Sequence, residues 1–193
     1  MPNFLVTERG KEVEHDVWMM SFSVDNLRRL WDKSKNHRIL FDDDINGDFH
    51  TFCNIFIGHN GDNVIPKGLV YIMDDFTGMV FISNVTSREA SVHFSFFDGR
   101  LRYEIAREML KYIFDEYGFE RLNTTVVPFG SKYLYKFVET MGFVKEGTKR
   151  KSLRYKDEMF DLYLYGLLRD EFFDKEEKWD TMKEQLVEAQ PKV

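Results

Sequence analysis

Leu101–Tyr117 carries the clearest helical pattern in the chain, with apolar residues recurring every three or four positions. Gly118 follows it, as expected of a residue that ends a helix in a left-handed conformation. Two strand patterns flank this helix: Ala90–Phe97 alternates between two faces, and Arg121–Val127 is rich in β-branched residues. A helix that connects two strands packs on the sheet that they form, so this order predicts a mixed α/β fold.

The residues after Val127 continue the alternation of helices and strands. Ser131–Met141 has helical spacing and ends at Gly142. Phe143–Tyr155 and Glu158–Leu164 predict a final pair of strands, and Arg169–Glu188 predicts a charged helix.

The residues before Ala90 predict a hairpin and a partly helical region. Gly68–Met73 and Met79–Val85 are apolar runs joined by a turn at Asp74–Gly78. Further upstream, three segments show regular patterns: an extended Val17–Phe22, a helix at Ser23–Asp32 with Ser23 or Asp25 as N-cap, and Phe49–Ile57, which fits a helix or a strand.

Length and composition limit the class of protein. The 193 residues suit one domain over residues 1–171 with a helical appendage over residues 172–193. A net charge of -6 argues against nucleic-acid binding, which requires clustered cations. The sequence shows neither a secretory signal nor an apolar run of about 20 residues, so no membrane partner is expected. The single cysteine, Cys53, fits a reducing cytoplasm.

The C-terminal third carries a series of short motifs. Gly142-Phe143 is followed by Glu146-Gly147, then by a basic hairpin, and then by Asp161-Leu162-Tyr163-Leu164 and Leu167-Leu168. This series resembles the C-terminal signature of the GNAT N-acetyltransferases, and in particular the Rim-like branch that acetylates the N-termini of ribosomal proteins. The resemblance implies the GNAT acyl-CoA N-acyltransferase fold, which has a central, mostly antiparallel sheet flanked by helices.

The resemblance also implies acetyl-CoA as co-substrate. In that family the pantetheine arm lies between two strands that separate, here Ala90–Phe97 and Arg121–Val127. The pyrophosphate binds backbone N–H groups at the start of the next helix, where the helix dipole favours an anion. The cofactor-binding residues implied in this way are Ser95, Phe96, Phe97, Gly99, Arg100, Leu101, Arg102, Tyr103 and Ser131.

The phosphate loop of this chain departs from the family pattern, which is Arg or Gln, two residues, Gly, one residue, then Gly or Ala. Arg100 stands where the central glycine is expected, and Gly99 is one position early. Arg100 and Arg102 could compensate, because guanidinium groups bind phosphate well. The alternative is an ordinary strand-to-helix turn with solvated arginines.

Candidate catalytic residues are His93, Tyr133 and Tyr135. An imidazole titrates near neutrality, so His93 could remove the proton of the attacking amine; the alternative is a strand histidine hydrogen-bonded to a neighbour. Many GNAT members have a tyrosine four residues before the glycine that protonates the departing thiolate, but this chain has Val138 there. Tyr133 and Tyr135 are the nearby substitutes, and packing is the alternative role for both.

An acidic stretch resembles the opening of an EF-hand calcium loop. Asp42, Asp44, Asn46 and Gly47 have the required spacing, but Cys53 stands where the bidentate glutamate is needed. We therefore expect an acidic surface turn and no metal.

Two functions from different classes follow from these observations. The first is N-acetylation of a primary amine, on a protein N-terminus, a lysine or a small molecule, by direct attack in a ternary complex. The second is a catalytically lapsed GNAT fold that binds other proteins. Phe97 or Phe129 filling the gap between the two strands would favour the second. The sequence leaves open whether the chain forms a homodimer.

Overall fold

The computed structural model describes residues 3–8, 11–34, 48–61, 63–98, 102–127 and 132–175. These residues form five helices: α1 (Val24–Ser34), α2 (Phe49–Phe56), α3 (Tyr103–Tyr117), α4 (Lys132–Thr140) and α5 (Arg169–Asp174). The strands in the same ranges are β1 (Asn3–Glu8), β2 (Lys11–Met19), β3 (Ile57–Asn60), β4 (Asn63–Pro66), β5 (Gly68–Met73), β6 (Gly78–Ser83), β7 (Glu89–Phe96), β8 (Arg121–Val126), β9 (Val144–Tyr155) and β10 (Glu158–Leu168).

Within the described part of the chain, the strands form one large sheet and one hairpin. The large sheet has the order β1-β2-β5-β6-β7-β8-β10-β9, and the hairpin consists of β3 and β4. Neighbouring strands of the large sheet run antiparallel, except that β7 and β8 run parallel. Helix α3 makes the connection between these two parallel strands, as the predicted order of elements requires.

The sheet is covered on both faces, and the alternation of β7 separates the two cores. Ala90, Val92 and Phe96 belong to the core beneath α3 and α4. Phe97 belongs to the opposite core, beneath α1 and α2. The mixed α/β architecture and the two faces predicted for this strand are therefore confirmed. Over the described residues, no helix has the length and apolar character needed to cross a membrane.

Short polar side chains and one glycine define the helix ends. The Ser23 hydroxyl accepts the backbone N–H of Asn26 at 3.2 Å, so Ser23 is the N-cap at the start of α1. Asp48 caps α2 by accepting the backbone N–H of Thr51 at 2.8 Å, which explains why the ambiguous segment Phe49–Ile57 starts as a helix. Gly118 ends α3 with φ of 66°, as predicted.

Several predictions concern residues outside the described ranges. These are the acidic turn with its EF-hand-like residues Asp42, Asp44, Asn46 and Gly47, and most of the predicted helix Arg169–Glu188. That helix is confirmed over α5 alone. Phe172 of α5 is buried in the core against Phe114, at a ring-centroid distance of 5.5 Å. Strand β1 and the β3–β4 hairpin were not predicted.

The backbone of Gly68, at the start of β5, lies so close to the neighbouring strand that no side chain would fit there. A Cβ atom there would lie 2.0 Å from the Ile82 carbonyl oxygen, which is backbone and cannot move aside. We expect Gly68→Ala to lower the free energy of unfolding by about 1–3 kcal/mol, as measured by urea denaturation.

Gly166 provides a matched control for this prediction. A Cβ atom there would lie 2.5 Å from atoms of Arg121 and Glu146, which are the ends of flexible side chains that can shift. Gly166→Ala should therefore cost less than Gly68→Ala. An equal or larger cost at Gly166 would contradict the explanation.

Candidate functional site

Strands β7 and β8 separate along their length. Their register contains only the pairs Glu89 with Arg121, Ala90 with Leu122, and Ser91 with Asn123. Beyond Ser91, β7 stays paired with β6 through Phe96, and β8 stays paired with β10 through Val126. The two strands therefore leave a gap in the middle of the sheet, at the position where the resemblance places the pantetheine arm.

Backbone polar groups face this gap. The backbone N–H of Phe97 donates to the Thr77 carbonyl at 2.7 Å, on the β6 side. Because backbone groups alternate in direction along an antiparallel strand, the N–H and C=O groups of Phe94 and Phe96 point to the gap. Just before β8, the Glu120 carbonyl accepts the backbone N–H of Arg169 and therefore points toward β10. By the same alternation, the backbone groups of Thr125 and Val127 point the other way, into the gap.

A cavity of about 270 Å³ passes through the gap. Side chains of both cores line it. Phe137, Val138 and Met141 of the α4 segment contribute from one face, and Phe56 and Phe81 contribute from the other. The cavity therefore has walls from both faces of the sheet.

His93 and Ser95 line this cavity from β7. The ring of His93 lies beside Phe81, with centroids 6.3 Å apart, and no hydrogen-bond partner of the imidazole is found among the described residues. Burial lowers the pKa of His93 from its ordinary value of 6.5. The imidazole is thus neutral at pH 7 and can accept a proton.

The other predicted cofactor residues occupy different environments. Phe96 is buried and packs on Phe137, with centroids 5.8 Å apart. Phe97 lies in the opposite core and does not fill the gap. Tyr103 packs on Phe137 in the first turn of α3, and burial raises the pKa of its phenol. The remaining four predicted residues lie outside the described ranges: Gly99, Arg100, Leu101 and Ser131. Phe129 also lies outside them.

Arg102 is held in a network of charged groups at the start of α3. One terminal nitrogen donates to Asp98 at 2.7 Å and the other to Asp74 at 3.4 Å. Asp74 also contacts Nδ1 of the buried His15 at 3.0 Å, and Nε2 of that ring contacts Glu8 at 2.9 Å. The Nε atom of Arg102 is buried and has no partner in the described part of the chain. The two carboxylates neutralise the charge of the guanidinium, but one of its N–H donors lacks a hydrogen-bond acceptor among the described residues.

The two candidate tyrosines are not part of the cavity lining, although Tyr135 precedes Val138 by three residues and so lies on the same side of α4. The Tyr135 hydroxyl donates to the Val127 carbonyl at 3.0 Å, which places it at the edge of the gap. Burial raises the pKa of this phenol, so it stays protonated. Tyr133 is partly buried. Val138 lines the cavity, as expected for the position where the family has its tyrosine.

An ion-pair network holds the closed end of the gap. Arg121 of β8 pairs with Glu146 of β9 and lies 3.6 Å from Glu89 at the start of β7. Glu89 also accepts a hydrogen bond from the Asn123 amide at 3.1 Å. These contacts join the strands where they are still paired, so the separation begins at a fixed point.

Sequence reasoning missed the cavity residues that come from other elements. These are Ile55 and Phe56 of α2, Met79 and Phe81 of β6, Leu153 of β9 and Leu162 of β10. Each belongs to an apolar pattern that indicates a buried side chain but does not indicate which cavity or core the side chain joins. Their meeting in one cavity depends on contacts between segments far apart in sequence.

Comparisons with known proteins agree with this geometry. No protein-family model matches the chain. A SPbeta prophage-derived uncharacterized N-acetyltransferase, YokL, of Bacillus subtilis (strain 168) is 33% identical over 69 residues. The match covers 36% of this chain, and the chain spans only 38% of the length of that relative.

Solved structures match over most of the chain. A spermidine N-acetyltransferase from Vibrio cholerae, in complex with CoA and spermine, has a TM-score of 0.64 at 15% identity, covering 81% of this chain and 98% of its own. RimJ of Mycobacterium smegmatis, in complex with CoA-disulfide, has a TM-score of 0.63 at 14% identity, covering 88% of each chain. A GNAT-family acetyltransferase from Bacillus anthracis has a TM-score of 0.57 at 18% identity, covering 80% and 95%. The chain therefore has the GNAT acetyltransferase fold.

Proposed function

We propose that this chain is an acetyl-CoA-dependent N-acetyltransferase that acetylates a primary amine by direct attack in a ternary complex. The observation that carries the proposal is the separation of β7 from β8 around a cavity that is lined by side chains from both faces of the sheet. In a protein that had lost catalysis, side chains that filled this gap would stabilise the core, so an unfilled gap favours retained binding of acetyl-CoA.

The residues around the gap fit the chemistry of acetyl-CoA. Its pantetheine arm carries amides, and the backbone groups of Phe94, Phe96 and Thr125 offer partners for them. Its phosphates would lie at the start of α3, where N–H groups are free of a side-chain cap and the partial charge is positive. The unpartnered Nε of Arg102 adds a donor there. Acetyl-CoA supplies an activated acyl group.

His93 is the proposed base and Tyr135 the better of the two proposed acids. His93 lines the cavity and is neutral, so it can take the proton that the amine loses as it attacks. Tyr135 keeps its proton and lies at the edge of the gap through its bond to Val127. The catalytic role of Tyr133 remains a prediction.

Other parts of the proposal are broader. The motifs favour the Rim-like branch, although solved relatives also include polyamine acetyltransferases. The proposed acceptor is an amine-bearing protein or small molecule. The proposed location is the cytoplasm, and formation of a homodimer is left open.

Calorimetric titration with acetyl-CoA tests the cofactor site. We expect micromolar binding by the wild type, and loss of binding in Val138→Trp, because the indole would fill the cavity beside the gap. Lys136→Trp is the matched control, since this residue lies on the exposed side of the same helix and should leave the affinity unchanged. Charge reversal at Arg102 is a poorer test because it would leave Asp74 and Asp98 without their partner.

The alternative function, a protein-binding module without catalysis, has one structural argument in its favour. Arg102 is already paired with carboxylates at the place where phosphate should bind. Failure of the wild type to bind acetyl-CoA at millimolar concentration would overturn the acetyltransferase proposal and support this alternative.

A further inference from the structure

The acceptor side of the cavity is the face beneath α1 and α2, opposite the helix α3 that is proposed to hold the phosphates of acetyl-CoA, and its wall is apolar. Phe56 and Phe81 belong to the core beneath α1 and α2, and Ile55 packs against it. Leu153 and Leu162 of the last hairpin close the same wall. The polar side chains that line the cavity are those of His93 and Ser95 on β7 and of Thr124 and Thr125 on β8. A ligand that enters from this face therefore meets hydrocarbon on most sides.

Among the described residues, no carboxylate lines the cavity, and His93 is the one side chain in its lining that can carry a charge. A buried cation without a partner is strongly disfavoured. A second ammonium group, such as that of a polyamine, would lie against Phe56, Phe81 or their neighbours wherever it stayed within this lining. The wall thus selects against a second charge.

The size of the cavity points to a small acceptor. Its volume of about 270 Å³ lies just below the range of about 300–1,000 Å³ that is usual for ligand pockets. The thioester end of acetyl-CoA would occupy part of it. The space that remains on the acceptor side suits a single ring or a short branched chain.

We propose that the acceptor is a small primary amine whose body is an aromatic ring or a branched hydrocarbon without a second charge. This inference rests on the acetyltransferase function proposed above. The apolar wall holds the body, and the amine lies near His93. The amine nitrogen bonds to the acetyl carbon, the carbon–sulfur bond breaks, His93 takes the proton from nitrogen, and CoA leaves as a thiolate that is then protonated.

Steady-state assays with two amines test the proposal. With saturating acetyl-CoA, we expect kcat/KM for 2-phenylethylamine to exceed that for spermidine at least tenfold, since the former fills an apolar pocket and the latter buries a charge. Release of the CoA thiol is the readout. Equal rates, a preference for spermidine, or acetylation of neither amine by protein that binds acetyl-CoA would overturn the inference.

A pair of variants tests whether the apolar wall of the cavity causes the preference for an amine without a second charge. Ile55→Asp places a carboxylate on the lining and should reduce the ratio of the two kcat/KM values at least tenfold in favour of spermidine. Asn54→Asp adds the same charge to the adjacent residue of α2, which does not line the cavity, and should leave the ratio unchanged. An unchanged ratio in folded Ile55→Asp would contradict the assignment.

Failure of this inference is distinguishable from failure of the proposed function. Protein that binds acetyl-CoA and prefers spermidine keeps the acetyltransferase function and loses the apolar acceptor. Protein that does not bind acetyl-CoA in the calorimeter loses both.

Discussion

Replacing His93 with glutamine is expected to lower kcat/KM for acetyl transfer by about 10²–10⁴-fold at neutral pH, which is the usual contribution of a positioned general base. The affinity for acetyl-CoA should stay within about threefold of the wild type, because the proposed contacts to the cofactor come from backbone groups and from the start of α3. Initial rates and calorimetric titration on the same protein would measure the two quantities. The combination separates a catalytic role from loss of the site.

The pH dependence of the rate gives a second readout. Burial lowers the pKa of His93 below 6.5, so the free enzyme holds the imidazole neutral at pH 7 and protonates it only in more acidic solution. The acid limb of the kcat/KM profile should therefore fall below pH 6.5 in the wild type. His93→Gln should lose the part of this limb that His93 contributes and keep only the fall that comes from protonation of the amine substrate, since glutamine does not titrate.

Stability should respond in the same pH range. The unfolded chain binds a proton at His93 with the ordinary pKa of 6.5, whereas the folded chain binds it only at lower pH. As the pH falls below 6.5, the unfolded state gains protons first, so the wild type loses stability relative to His93→Gln. Urea denaturation at pH 7 and at pH 5 would show this divergence.

His59→Gln is the matched control for these measurements. His59 is exposed on β3, away from the cavity lining, and its replacement removes one imidazole without touching the site. The control should keep the wild-type rate and its acid limb. A folded His93→Gln variant with undiminished kcat/KM would show that His93 is a packed strand histidine instead.

The parts of the fold that could be predicted are those where one segment carries its own signal. Helix α3 has an apolar stripe and a glycine end, and β7 has strict alternation, so both were recognised from local pattern alone. Strand β1 was missed. Most of its side chains remain at least partly exposed, so hydrophobicity gives little sign of it, and it exists because it pairs with β2.

The candidate site was less predictable, because the cavity is formed by segments far apart in the chain. The resemblance placed the gap between the correct two strands, and His93, Ser95 and Val138 do line the cavity. Nothing local indicated that Ile55 of α2 and Leu162 of β10 would meet there. Nor did the sequence indicate that Arg102 would pair with Asp74, since that contact joins α3 to the turn after β5.

The second large effect is expected in the core beneath α5. Phe172→Ala should lower the free energy of unfolding by about 3–5 kcal/mol, the usual cost of removing a buried phenylalanine. The Phe172 side chain is 1% exposed and packs on Phe114. The guanidinium of Arg107, itself buried, lies 4.6 Å from the centre of the Phe172 ring, so the substitution also removes a favourable cation–π contact.

Phe173→Ala is the matched control, because the neighbouring ring is only partly buried and lies further from Phe114, at 6.2 Å. It should cost about 1 kcal/mol, near the centre of the range for single substitutions. Urea denaturation of both variants measures the difference. A large cost confined to Phe172 would place the end of the folded domain after α5, several residues beyond the boundary at residue 171 proposed from the sequence. Equal, small costs would instead make α5 part of the appendage, because a segment that contributes little to the core can detach without unfolding it.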